Sequence, residues 1–345
     1  MNADADPNLI VYFGGKYMPM GEAHVGIMTH ALHYGTGVFE GIRAYWNEAQ
    51  KDLFIVRPME HYQRWKQNSG ILRISVPFEP EELCEITAEL ARRNNLHTDL
   101  YIRPLAYKCA ERIGVAIDDQ DAFFIVVLPF GEYLHSENGL HAGVSSWRRI
   151  DDNMIPPRAK ICGAYVNSAL ASDEARSSGF DEAILLNESG HVTEGSTCNL
   201  FMLRKGRLIT PDVTENVLEG ITRDSVMELA QRELGLEIVE RPIDRSELYV
   251  CDELFLTGTA VGLAPVTRVD HRPVRDGAIG AVTRKMRQLY NDATHGNLPA
   301  YRKWLFPVYG RDRTPEQNAA RQAETSLEQF QDKCALPDFV AGRPS

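Results

Sequence analysis

Residues 122–128 read Ala-Phe-Phe-Ile-Val-Val-Leu, apolar at every position, and a strand of that composition is expected to be covered on both faces. Pro129-Phe130-Gly131-Glu132-Tyr133 and the residues through Gly139 follow, polar and supplied with turn formers. After them the alternation of strands and helices starts afresh. A buried strand, a link and a restart together restrict the chain to two packed units, each of which needs its own core. With 345 residues the chain is long enough to supply both.

The first unit is expected over residues 1–130 as a small α+β domain. Residues 9–13 and 16–18 flank Gly14-Gly15, which suits the positive φ of a tight hairpin turn. A strand is expected at 53–56. Pro58 then opens a helix through about Ser69, because proline is tolerated at the first helical position. A second helix is predicted over 79–95, with Leu83, Ile86, Leu90 and Ala91 on one face. Strands at 101–107 and 122–128 complete the unit. Residues 131–141 form the inter-domain loop, and residues 142–310 form a larger, β-rich domain. Its elements are a strand at 142–147, a helix at 164–178 stopped by Gly179, and a hairpin at 182–187 and 191–193. Then come a strand at 199–203, a helix at 221–234 between Gly220 and Gly235, and strands at 236–241, 253–257 and 266–269. A helix near 281–292 ends the domain. Residues 311–345 form a C-terminal extension. In it Thr314-Pro315-Glu316-Gln317 caps one short helix carrying Ala320, Ala323, Leu327 and Phe330 on one side.

A formal net charge of −11 argues against a nucleic-acid or anionic-membrane partner, which would require clustered Lys and Arg. Any anion must therefore be met by a local arrangement of donors, such as a helix N-terminus. The six cysteines are scattered, without a C-x-x-C pair or metal-ligand spacing, so no metal site is expected and the thiols suit a reducing, cytoplasmic location. The N-terminus is acidic and lacks an apolar core, and no apolar run approaches the ~20 residues that span a bilayer. There is no G-x-S-x-G, P-loop or dinucleotide fingerprint to suggest a hydrolase, a nucleotide-phosphate enzyme or a dehydrogenase.

The chemistry is concentrated between Pro157 and Phe201. The segment opens P-R-A-K-I-C-G-A-Y-V-N-S and closes H-V-T-E-G-S-T-C-N-L-F. Lys160 is a candidate Schiff-base amine and Glu194 a candidate partner for a pyridine nitrogen. Pyridoxal phosphate needs both groups, an amine for covalent attachment and a second group that sets the charge of the ring. Leu218-Glu219-Gly220-Ile221-Thr222-Arg223 is a loop entering a helix, where free N–H groups and the positive dipole end can meet a phosphate.

Over roughly residues 8–310 these motifs resemble the fold-type-IV pyridoxal-phosphate enzymes, specifically the branched-chain amino-acid aminotransferases. The matching segments are His33-Tyr34-Gly35-Thr36-Gly37-Val38-Phe39-Glu40-Gly41-Ile42-Arg43, Glu60-His61-Tyr62-Gln63-Arg64, Tyr101-Ile102-Arg103-Pro104, Glu194-Gly195 with Asn199-Leu200-Phe201, and Gly258-Thr259-Ala260. The resemblance implies a two-domain α+β fold like that of D-amino-acid aminotransferase. It gives Lys160 the catalytic role, Glu194 the ring nitrogen and Tyr165 the phenolic oxygen of the cofactor. Arg64, Ile221, Thr222 and Thr259 would form the phosphate cup. Phe39, Tyr165 and Tyr34 would line an apolar side-chain pocket, with Tyr34 and Val115 reaching in from a partner subunit. Tyr101 and the Thr259 and Ala260 amides would hold the α-carboxylate. Arg103, helped by Tyr34 and Tyr133, would take the γ-carboxylate of glutamate or 2-oxoglutarate, and Arg43 belongs to the substrate-binding set.

The implied function is transfer of the amino group of a branched-chain or related apolar L-amino acid to 2-oxoglutarate by a homodimer or higher homo-oligomer. Two departures, Gly163-Ala164-Tyr165 and Val261-Gly262-Leu263, lie beside the cofactor and carboxylate positions and leave the preferred amino donor open. Three other readings stand beside this one. The same fold could act on D-amino acids, amines or an unusual specialised amino acid. It could be a lyase of the aminodeoxychorismate lyase type. The chain could also be a binding protein without turnover, against which the retained Lys160 argues.

Overall fold

The computed structural model describes residues 6–131 and 137–310. The expected helix after Thr314 and the expected site residue Tyr133 lie outside the described residues. The first sheet contains β1 (Ile10–Phe13), β2 (Lys16–Pro19), β3 (Gly37–Phe39), β4 (Ile42–Asn47), β5 (Asp52–Val56), β6 (Leu100–Lys108) and β7 (Asp121–Pro129). The hairpin β1–β2 turns through Gly14 and Gly15, both at positive φ, as the Gly-Gly signal requires. Helices α2 (Pro58–Ile71) and α3 (Pro80–Arg93) follow the short helix α1 (His30–Tyr34). The buried residues of α2 (Pro58, His61, Tyr62, Trp65, Asn68, Ser69) recur at three and four positions, forming the face that packs on the sheet. Helix α3 is held at its start by reciprocal hydrogen bonds between Glu79 and Glu82, a capping box. Both helices bury Tyr62, Trp65, Leu83 and Leu90 against Ile102, Phe123, Ile125 and Val127. Truncating Trp65 to alanine there is worth about 3–5 kcal/mol.

The structure corrects one expectation for this sheet. Strand β7 is not covered on both faces: Phe123, Ile125 and Val127 are buried, whereas Phe124, Val126 and Leu128 are only partly so. The helices lie on one side alone. The other side opens toward a cavity that Leu128 helps to line.

The second sheet comprises β8 (Leu140–Arg148), β9 (Glu182–Leu186), β10 (Val192–Gly195), β11 (Asn199–Arg204), β12 (Arg207–Thr210), β13 (Glu237–Glu240), β14 (Glu253–Gly258), β15 (Gly262–Val269) and β16 (Arg272–Pro273). Its order is β10-β9-β8-β15-β14-β11-β12-β13, and an extra pairing of Glu194 with Asn199 joins β10 to β11. Six strands thereby close into a ring. Alternation decides which side chains fill it. Leu200, Met202, Leu254 and Leu256 point inward to one core, while Phe201 and Phe255 point outward and stack 5.3 Å apart beneath α5 (Ile221–Leu234) and α6 (Ala281–Thr294). Helix α4 (Tyr165–Ser177) packs Ala171 and Ala175 on Ala183 and Leu185.

Strand β17 (Leu305–Pro307) pairs with β5, and Val308 enters the first core. Residues 305–310 were expected with the second unit, but the chain crosses back. The Asp52 carboxylate accepts the Val308 and Tyr309 N–H groups and so caps the edge that β17 completes.

Candidate active site

The lysine is positioned by its backbone before its side chain. Lys160 lies on the irregular segment between β8 and α4, and its carbonyl accepts the Phe39 N–H at 3.1 Å. Further on, the chain passes so close to Gly35 that a Cβ there would lie 2.7 Å from the Gly163 Cα, and Gly35 holds φ +67°. Glycine is therefore required at that crossing. Lys160 Nζ donates to Tyr165 Oη at 2.8 Å and lies 5.2 Å from the centre of the Phe39 ring.

Glu194 sits in the closing pair of the β-ring and is buried. Its Oε1 pairs with Arg149 Nη2 at 2.8 Å, and its Oε2 accepts Asn199 Nδ2 at 3.0 Å and the Leu218 N–H at 3.1 Å. Burial pushes the Glu194 carboxyl above its ordinary range, against the opposing pull of Arg149. Sequence reading missed Arg149. It follows β8 as the second of two arginines, and nothing local separates it from a solvated charge.

A donor-rich end lies nearby. Helix α5 begins after Gly220 with no side-chain cap, and Ile221 and Thr222 face the cavity. Arg64 on α2 reaches the same place. Its Nε and Nη2 each donate to Glu40 at 2.7 Å, and Nη1 donates to the Glu219 carbonyl at 2.6 Å. Glu40 is fully buried and also accepts His61 Nδ1 at 2.9 Å. Burial opposes its ionisation, but Arg64 and His61 outweigh that and hold the carboxyl far below the usual carboxylate range. Glu40 stood in the recognised motif without a role; it aims the Arg64 guanidinium. Thr259 and Ala260 line the cavity at the end of β14, beside Thr257, whose buried hydroxyl has no partner among the described residues.

At the other end Phe39, Tyr101, Arg103, Leu105, Leu128 and Phe130 close a cavity of about 660 Å³. Arg103 Nη2 donates to Tyr101 Oη at 2.8 Å, its Cζ lies 4.4 Å from the Phe39 ring centre, and its buried Nε has no partner among the described residues. Gly41 is needed here, since a Cβ would come within 2.3 Å of Tyr101 Oη.

The cavity thus gathers Phe39, Arg64, Tyr101, Arg103, Lys160, Tyr165, Glu194, Ile221, Thr222, Thr259 and Ala260. It does not gather Arg43, Tyr34 or Val115. Arg43 points elsewhere: it donates to the Phe130 carbonyl at 3.0 Å and the Gly131 carbonyl at 3.2 Å, and so pins the exit of β7. Tyr34 Oη accepts the Gly114 N–H at 2.9 Å, and Val115 is 77% exposed on that same loop.

The donor set fits pyridoxal phosphate: an amine between aromatic faces, a buried carboxylate, and an anion cup of helix amides, Arg64 and an unpartnered hydroxyl. Gly220, at the start of α5, packs so tightly against Asn199 that a Cβ would lie 2.0 Å from its Oδ1. The family model for amino-transferase class IV matches residues 37–269. The chain belongs to that family. A probable branched-chain-amino-acid aminotransferase of Aquifex aeolicus is 49% identical over 301 residues, which cover 87% of this chain and 97% of the relative. The branched-chain amino acid aminotransferase of Thermobaculum terrenum, in its pyridoxal-phosphate form, superposes with a TM-score of 0.84 at 40% identity, covering 88% of this chain and 99% of that one. The branched-chain aminotransferase of the thermophilic archaeon Thermoproteus uzoniensis, solved with norvaline, gives a TM-score of 0.83 at 40% identity, covering 87% and 99% of the two chains. Within the family the chain is a transaminase of the branched-chain-amino-acid type.

Proposed function

We propose that the chain transfers the amino group of a branched-chain or related apolar L-amino acid to 2-oxoglutarate, with pyridoxal phosphate held in the cavity described above. The observation that carries this reading is the convergence of Lys160, Glu194 and the α5 N-terminus on one cavity whose far wall is apolar apart from Arg103 and the Tyr101 hydroxyl. When bound, the cofactor supplies an electron sink that stabilises negative charge at the substrate's Cα. Lys160 holds it covalently and moves the proton at that Cα, with Tyr165 orienting the amine. Glu194, whose ionised form Arg149 favours, holds a proton on the ring nitrogen. Arg64, Thr259 and the Ile221 and Thr222 amides bind the phosphate.

Tyr101 and the Thr259 and Ala260 amides orient the substrate α-carboxylate. Phe39, Tyr165, Leu105 and Leu128 accept an aliphatic side chain by exclusion of water. For a substrate ending in a carboxylate, Arg103 offers its open Nε at the edge of that wall, which lets one pocket serve both partners of the exchange.

The working unit in this proposal is a homodimer. Tyr34 and Val115 do not line their own cavity. They sit on two segments joined by the Thr29–Glu111 bridge, where Ile27, Leu32 and Ile113 are exposed at 81%, 68% and 67%. Such a patch suits burial against a second copy, whose cavity Tyr34 and Val115 would complete. No helix among the described residues is long and apolar enough to cross a membrane. Cys162, Cys198 and Cys251 are free thiols, which supports placement in the reducing cytoplasm.

A single-turnover spectral titration of the cofactor-loaded protein tests the activity. Leucine, isoleucine, valine and glutamate should each convert the cofactor to its amine form. Conversion by D-alanine or simple amines, with none by these four, would overturn the proposal.

A further inference from the structure

Helix α2 and its cap carry two arginines seven positions apart, which places them on one face, two turns from each other. Arg64 touches the Glu219 carbonyl on the near side of Gly220. Arg57 touches the far side: its Nη1 donates to Asp224 Oδ2 at 2.7 Å, to Ser225 Oγ at 2.8 Å and to the Ile221 carbonyl at 3.3 Å. The segment from Glu219 to Ser225 is therefore gripped at both ends by one helix of the other sheet's layer. The amides of Ile221 and Thr222 lie between the two grips.

Arg57 is itself heavily constrained. It is buried, its Nε donates to Glu60 at 2.8 Å, its N–H donates to the Trp304 carbonyl at 2.6 Å, and its Cζ lies 5.6 Å from the Trp304 ring centre. It also holds a left-handed backbone, φ 47° and ψ 44°, which a residue other than glycine adopts only at a cost. Its charge is answered by Glu60 and Asp224, so it does not serve as a second anion-binding cation. What its contacts do is fix a separation.

We infer that Arg57 is a positioning residue that sets the distance between the Arg64 guanidinium and the α5 amides, and with it the dimensions of the phosphate cup. The inference rests on the reading of that cup under the proposed function. It predicts an effect confined to the phosphate: the site should lose its preference for pyridoxal phosphate over pyridoxal, which shares every contact except those of the cup.

The test titrates the full-length apo-protein with each compound and compares the ratio of dissociation constants. Arg57→Gln should weaken pyridoxal phosphate by about tenfold to a hundredfold, the range spanned by a charge-assisted buried hydrogen bond, and leave pyridoxal within about twofold. Arg57→Lys keeps one donor and should recover part of the loss. Arg64→Gln is the control for the cup. If Arg64→Gln lowers the ratio and Arg57→Gln leaves it unchanged, the inference fails and the cup stands. If Arg64→Gln also leaves the ratio unchanged, the cup reading fails and takes the inference with it. Should Arg57→Gln not fold, the grip is loosened from the α5 side by Asp224→Asn with Ser225→Ala, where the Asp224 side chain is 60% exposed. A ratio lowered severalfold in that variant supports the inference, and an unchanged ratio overturns it.

Discussion

Replacing Arg149 by methionine isolates the electrostatics on which the site depends. The substitution removes the one ion-pair partner of Glu194 among the described residues and leaves the Asn199 and Leu218 donors in place. Losing one member of a buried pair costs about 3–5 kcal/mol. The two remaining donors put this case at the lower end, and the lost hydrogen bond from Arg149 Nε to the Asn216 carbonyl adds about 1 kcal/mol. The expected destabilisation is about 3–4 kcal/mol, provided the carboxyl stays ionised. It need not, because burial already raises Glu194 and removing Arg149 raises it further. A carboxyl raised in the folded state contributes stability that is fully present below its unfolded value and is lost as pH rises through the folded value. The unfolded value is about 4.3. The methionine variant should therefore trail wild type near that pH only by the roughly 1 kcal/mol of the lost Asn216 hydrogen bond, and fall further behind as pH rises. Urea unfolding of the apo-protein, measured from mildly acidic to mildly alkaline pH, reads the difference directly. Combining Arg149→Met with Glu194→Gln removes the orphaned charge and should restore about 2 kcal/mol at alkaline pH relative to Arg149→Met alone. A destabilisation that does not change with pH, or a double variant whose losses simply add, would refute the account.

Three further outcomes are expected. Borohydride should fix the cofactor on the peptide containing Lys160, and Lys160→Ala should lose turnover by several orders of magnitude, because covalent attachment and proton transfer disappear together; recovery of the label on another lysine would reject the assignment. Glu194→Gln, nearly isosteric, should cut kcat sharply with a modest change in KM, since a neutral amide cannot keep the ring nitrogen protonated; a near-normal kcat would leave Glu194 a structural residue. Arg103→Ala should weaken 2-oxoglutarate and glutamate by about 2–5 kcal/mol while leucine loses only packing, so kcat/KM measured for both substrate types should separate them, and equal losses would place Arg103 outside the carboxylate site.

Much of this protein could be read from local pattern. Helix α5 runs from Ile221 to Leu234, as its flanking glycines indicate, and Gly235 terminates it in the left-handed conformation. The apolar spacing of α3 and the Gly-Gly turn of β1–β2 were equally visible, because period, caps and turns are properties of neighbouring residues. Lys160 and Glu194 were recognisable from the motifs around them. Short elements such as β3, α1 and β17 carry too few residues to show a period, so they emerged only with the fold.

The rest depended on where the chain returns to itself. Glu40 and Arg64 are 24 positions apart, Arg57 and Asp224 are 167 apart, and Arg149 meets Glu194 only because the β-ring closes there. A charged side chain looks the same in sequence whether solvent or a buried partner answers it. Arg43 shows the converse, a member of a matched motif whose guanidinium turns to the Phe130 and Gly131 carbonyls instead of the cavity. Strand β7 shows it for apolar residues, since its composition allowed burial on both faces and the placement of α2 and α3 covered one. Neighbouring residues were enough to set the helices and the turns and to single out Lys160 and Glu194 as candidates. Folding then chose the partner of each, because burial and pairing are relations between distant segments that no local spacing encodes.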